Sequence, residues 1–147
     1  MKLLDNFFIT KTITETENGY EAVLQCNPTH IIYQGHFPGN PITPGACIIQ
    51  VANELMERIM NRKLLMQTIK NVKFLSAIVP EEGKLIRFTF SGLSQTETGC
   101  KVQVSVFESQ TVCAKMSLSF SHDPLWPGGD TSQDAATESL RRTANLQ

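Results

Sequence analysis

Apolar positions change period twice along the chain. Residues 7–14, Phe-Phe-Ile-Thr-Lys-Thr-Ile-Thr, are rich in β-branched and aromatic types and predict a strand. Asn18-Gly19 follows, the dipeptide favoured in tight hairpin turns, and residues 20–25 run back as a second strand. The period then becomes helical. Ile48, Val51, Ala52, Leu55, Met56 and Ile59 form one apolar stripe of a helix over 44–61. Gln50, Asn53, Glu54, Glu57 and Asn61 make up most of its opposite face. Thr43 is the candidate N-cap, and Pro44 fits the first helical position. Strand-like runs return at 69–78, 85–90, 101–107 and 112–120, with turns at 80–83, 97–99 and 108–110. Two strands, one long helix and a series of antiparallel-looking strands predict an α+β domain whose sheet wraps the helix.

The pattern stops near residue 121. The division is a domain over 1–121 and a polar tail over 122–147. Pro124, Pro127, Gly128 and Gly129 break regular structure, and 128–147 hold too little apolar surface to offset the entropy of ordering. The tail reads as mobile, with at most a frayed helix over 134–143. Trp126, the one tryptophan, is expected to pin its start to the domain surface.

Charge and composition narrow the function. In 147 residues, 13 Lys and Arg stand against 14 Asp and Glu, which argues against a strongly basic nucleic-acid binder. No apolar run approaches about 18 residues, so no membrane span is expected. Charge also comes too early at the N-terminus for a secretory signal, and the expected location is cytoplasmic. Cys26, Cys47, Cys100 and Cys113 show no C-x-x-C spacing, and His30, His36 and His122 are not spaced as ligands. No metal site or disulfide framework is therefore expected.

The informative stretch is 35–45, with three prolines and three glycines in eleven positions. Such a loop is stiff and non-repetitive, and it runs straight into the helix. It fixes His36. The amides of Gly45 and Ala46, in the first helical turn, have no intrahelical partner and suit an anion or a polarised carbonyl oxygen. An imidazole beside such a site is the minimum equipment for removing a proton next to a thioester carbonyl. The alternative is a turn histidine bonded to backbone. Cys47 reads as a packing or wall residue, although its first-turn position would favour a thiolate. His30 reads as a surface-turn residue, with the site entrance as the alternative, and Tyr33 as packing under the loop. Lys70, Lys73, Arg58, Arg62 and Lys63 are candidates for one basic surface, or for ordinary solvated side chains.

Gly35-His36-Phe37-Pro38-Gly39-Asn40-Pro41-Ile42-Thr43-Pro44-Gly45 entering a helix resembles the hot-dog-fold β-hydroxyacyl-(acyl carrier protein) dehydratases of fatty-acid, polyketide-like and aryl-polyene pathways. Lys73-Phe74-Leu75 and Val79-Pro80-Glu81-Glu82-Gly83 are also similar to that family, and so is the element order over 1–120. The resemblance implies a long helix wrapped by an antiparallel sheet, dimers joined sheet edge to sheet edge, and an acyl tunnel at the interface. It implies dehydration of (3R)-hydroxyacyl thioesters to trans-2-enoyl thioesters, without a cofactor. Its catalytic positions are His36 and Gln50, and its substrate-binding set is Gly45, Ala46, Phe37, Pro38 and Glu54. Its partners are an acyl carrier protein and a second subunit, either identical or a paralogue, with higher oligomers open.

Gln50 departs from the family pattern, which places Asp or Glu there. An amide can hold a hydroxyl or a water but cannot serve as the acid. Three explanations stand. His36 shuttles the proton alone, Glu54 reaches in through water from one turn along, or the chain is an impaired acyl-binding subunit of an active partner. The plainest reading makes Gln50 and Glu54 a solvated helix face. A hot-dog thioesterase is a further alternative, against which the Gly-His-Phe-Pro loop argues.

Overall fold

The computed structural model describes residues 2–35 and 39–125. The strands are β1 (Phe8–Thr16), β2 (Gly19–Cys26), β3 (Leu64–Phe74), β4 (Leu85–Gln95), β5 (Gly99–Glu108) and β6 (Thr111–His122). The helices are α1 (Ile31–Gly35) and α2 (Gly45–Met60). The strands form one antiparallel sheet in the order β1-β2-β4-β5-β6-β3. With α2 against it, this is the α+β hot-dog architecture that the sequence resemblance implied.

Strict alternation builds the face that covers α2. Ala22, Leu24, Ile86, Phe88, Phe90, Val102, Val104, Val106, Ala114, Met116, Leu118 and Phe120 are all buried. Against them lie Ile48, Val51, Ala52, Leu55 and Met56 of the predicted helical stripe, with Ile59 partly buried beside them. The predicted hairpin forms, but its two-residue turn is Glu17-Asn18: Thr16 pairs with Gly19, which opens β2.

The largest departures from the sequence reading are at β3, β4 and α1. The strand expected over 69–78 is β3, which begins at Leu64 and ends at Phe74. Its register shifts between Met66 and Thr68 and again between Lys70 and Lys73, with Asn71 at φ 55°. Each bulge flips the phase of alternation and hides the strand's start from a period-two test. β4 runs past residue 90 to Gln95 through a similar shift beside Gly92, at φ 60°. The short helix α1 has too few residues to show a period. Trp126 and the tail over 128–147 lie outside the described residues.

β1 and β3 are the sheet edges. β3 carries exposed apolar side chains at Leu65, Ile69 and Phe74, and Leu75 continues them. Among the described residues no helix is long and apolar enough to cross a membrane.

Candidate active site

The loop reaches α2 through Thr43 and Pro44. Thr43 is buried and does not cap the helix. Its amide donates to Ile78 O at 2.9 Å, and its hydroxyl is 2.9 Å from that of Tyr33. Pro44 takes the N-cap position with extended backbone (ψ 142°), so the helix starts one residue later than its fixed φ suggested. Its carbonyl accepts from Cys47 and Ile48. The amides of Gly45 and Ala46 therefore come first in the helix, with no intrahelical acceptor. Tyr33 stacks on Phe7 at 4.9 Å between ring centroids and supports the loop from below, as expected. Burial raises its phenol pKa despite the opposing bond from Thr43.

Gly45 lies under the Phe74 ring. A Cβ placed there would sit 2.6 Å from Phe74 Cζ, so the aromatic ring borders the first helical amides. His36, Phe37 and Pro38 lie outside the described residues, which resume at Gly39 with φ 81°.

Ala46, Gln50 and Glu54 follow one another at four-residue spacing along one face of α2. That face is not simply solvated. Glu54 is only 6% exposed, and both carboxylate oxygens are engaged. Oε1 accepts from Leu3 N at 3.0 Å and Leu4 N at 2.8 Å. Oε2 accepts from Leu3 N at 2.9 Å and from Gln50 Nε2 at 2.8 Å. The N-terminal segment thus lies over the face read as solvent-facing, and Leu3 and Leu4 are buried with it. Arg58 extends the attachment with a 3.1 Å ion pair to Asp5. The sequence reading missed this segment. Its available signal was Leu3-Leu4 standing between polar neighbours ahead of the first strand.

Other candidates separate. Burial pushes the Cys47 thiol pKa up, so the helix start does not make it a ready thiolate. His30 is tied into its turn: its Nδ1 accepts from Ile32 N at 3.1 Å, and its ring meets Phe7 edge-on. The basic residues do not form one patch. Arg58, Arg62 and Lys63 line a cavity with Lys2, Leu4 and Glu54, whereas Lys70 lies with Lys101 and Ser117 in another. Among the described residues no group of three or more His, Cys, Asp and Glu side chains could hold a metal ion.

The family model for the ApeI dehydratases matches residues 12–117, well over half the chain. The chain belongs to the ApeI-like dehydratase family. A 3-hydroxyacyl-(acyl-carrier-protein) dehydratase of Clostridium acetobutylicum is 34% identical over 77 residues, which cover 46% of this chain and 55% of that protein. In that match the chain spans little more than half of the relative's length. The corresponding enzyme of Geobacter metallireducens is 28% identical, over 76% of this chain and 79% of the relative. Among solved structures, the dehydratase heterocomplex ApeI:P from Xenorhabdus doucetiae superposes with a TM-score of 0.63 at 16% identity. That superposition covers 78% of this chain and 98% of the other, and establishes the shared hot-dog fold.

Proposed function

We propose that the protein removes water from (3R)-hydroxyacyl thioesters on an acyl carrier protein, giving trans-2-enoyl thioesters in fatty-acid or polyene-type lipid synthesis. The observation that carries this reading is the family match over 12–117, which contains the whole loop and all of α2. Relatives named as 3-hydroxyacyl-(acyl-carrier-protein) dehydratases support the substrate class. The chemistry assigns three roles. The Gly45 amide polarises the thioester carbonyl and acidifies the Cα proton. His36 removes that proton, and its electron pair forms the Cα–Cβ double bond as the Cβ–O bond breaks. The departing oxygen takes the proton back from the imidazolium and leaves as water. Phe37, Pro38 and Ala46 are assigned to substrate binding by the family resemblance.

Incubation of the purified chain with a hydroxyacyl carrier protein, followed by mass spectrometry, should show loss of one water. His36→Ala should abolish turnover without unfolding the chain; full activity in that variant would sink the mechanism. A paired assembly is the second reading, favoured by the heterocomplex among the structural neighbours and by the apolar β3 edge. It expects activity only after a paralogous dehydratase subunit is added. Release of free acid would instead indicate a thioesterase.

A further inference from the structure

We propose that the outer face of β3, β6 and β5 is a docking surface for an acidic protein, and that this protein is the carrier bearing the thioester. The carrier's identity rests on the dehydration reading; the surface itself follows from register and charge. In β5 and β6, Val102, Val104, Ala114, Met116 and Leu118 are buried on the side of α2, so Lys101 and Lys115 stand on the opposite side. Lys101 pairs with Ser119, which pairs with Thr68. Gln103 pairs with Ser117, which pairs with Lys70. Ser105 pairs with Lys115, which pairs with Lys73. Lys70, Lys73, Lys101 and Lys115, all exposed, therefore fall within an area of about 10 by 14 Å, from the spacing and rise of strands. That area has no counter-charge. Residues 64–74, 99–107 and 111–122 contain no Asp or Glu, although the whole chain carries a net charge of -1. Glu108, at the end of β5, is held by Lys84 at 3.3 Å. Among the described residues none of the four lysines forms a salt bridge. Lys73 and Lys115 stand directly opposite each other, a like-charge pairing that disfavours the sheet and that an anionic partner relieves. Hydroxyl and amide groups fill the space between: Thr68 bonds Ser119, and Ser117 donates to Gln103 Oε1 at 2.6 Å. With Lys70 and Lys101 they line a depression of about 210 Å³.

Side-chain type and position select the partner. The three strands carry no Arg, so no guanidinium fork is present to grip a phosphate in two places. Hydrated point charges spread over such an area suit dispersed carboxylates, and a contact that forms and breaks at each turnover. Phe74 follows Lys73 directly, and its ring borders Gly45, so the opposed lysines sit beside the candidate site. An acidic carrier seated there brings its thioester to the start of α2. The cavity at Arg58, Arg62 and Lys63 fits such a partner less well, because Glu54 and Glu57 also line it.

The test gives the full chain two substrates: a 3-hydroxyacyl group on a bacterial acyl carrier protein, and the same group on N-acetylcysteamine, a small thioester without acidic protein. Lys70→Glu/Lys101→Glu should lower kcat/KM for the carrier substrate about tenfold or more at low salt, and leave the small thioester within about twofold. Raising salt tenfold should shrink the parent's preference for the carrier substrate. Lys115→Glu places opposite charges across from each other, so it should raise the unfolding midpoint while weakening use of the carrier; that combination separates docking from stability. An equal loss on both substrates, or no loss on either, would overturn the surface and leave the reaction standing. A parent that turns over neither substrate counts against dehydration, and fluorescence anisotropy of the labelled carrier then decides the surface. The surface stands if the parent binds the carrier and Lys70→Glu/Lys101→Glu does not. It falls if both bind equally or neither binds. Binding of phosphatidylserine vesicles that is lost in the variant, with carrier binding unchanged, would give the face to a membrane and overturn the carrier assignment.

Discussion

Gln50→Glu probes the contact between Gln50 and Glu54 most directly. The new carboxylate oxygen takes the place of Nε2, 2.8 Å from Glu54 Oε2. Two full charges at that spacing repel by about 6 kcal/mol at an effective dielectric near 20. That energy corresponds to about four pKa units, so the pair retains one proton well above the ordinary glutamate value of about 4.3. The sign follows from linkage. The folded-state pKa is raised above the unfolded one, so the stabilisation is present at low pH and is lost as pH rises toward the folded value. Relative to the parent, the variant should lose about 1.4 kcal/mol per pH unit through the neutral range, or about 3 kcal/mol between pH 5.5 and 7.5. Urea unfolding of both proteins across that range measures the difference. The double variant Gln50→Glu/Glu54→Gln keeps a single carboxylate and should run parallel to the parent. Parallel curves for Gln50→Glu itself would refute the contact. In the proposed reaction the retained proton would also serve as an acid for the leaving hydroxyl, so turnover by Gln50→Glu should be faster at low pH than at high pH.

Other perturbations test the surroundings of the site. Glu54→Ala removes the acceptor of Leu3 N and Leu4 N and should cost about 2–4 kcal/mol in denaturant unfolding, with faster proteolysis near the N-terminus. Gly45→Ala drives a methyl group into the Phe74 ring and should cost about 1 kcal/mol, because the half-exposed ring can swing aside. Phe74→Leu in the same background should recover most of that loss. Asp5 has its pKa lowered, chiefly by the Thr10 amide and further by Arg58, so its small contribution is present above the unfolded carboxylate pKa. That contribution is lost as pH falls through the folded value. Asp5→Asn should therefore flatten the acid limb of the stability curve while costing well under about 1 kcal/mol at neutral pH, since half of the side chain is exposed.

Legibility in the sequence followed the length and regularity of each signal. The α2 stripe and the alternation of β5 and β6 were readable because each repeats over several residues, and every repeat faces the same core. β3 was displaced because two bulges reset its phase. At the site, the loop composition singled out Gly45 and the helix amides, since both depend on local backbone chemistry. Glu54 could not be read correctly from α2 alone. On a helical wheel it belongs with the polar residues, and its burial comes from Leu3 and Leu4, some fifty residues away. Phe74 above Gly45 is a similar case, a pairing between a strand end and a helix start that no local pattern announces.

Moving a carboxylate by one helical turn changes the kind of chemistry available. At position 50 it would be a candidate acid for the leaving hydroxyl; at position 54 it falls within reach of the N-terminal amides and becomes an acceptor for them and for Gln50. The proposed reaction then depends on one titrating group, His36, acting first as base and then as acid within a turnover. For such a site kcat/KM should rise with pH as the base loses its proton, and then level off. A separate carboxylic acid would add a falling limb and give a bell. The pH–rate profile of the wild type should therefore be a single sigmoid, whereas that of Gln50→Glu should bend downward on its alkaline side. A bell in the wild type would mean that a second proton donor serves the site.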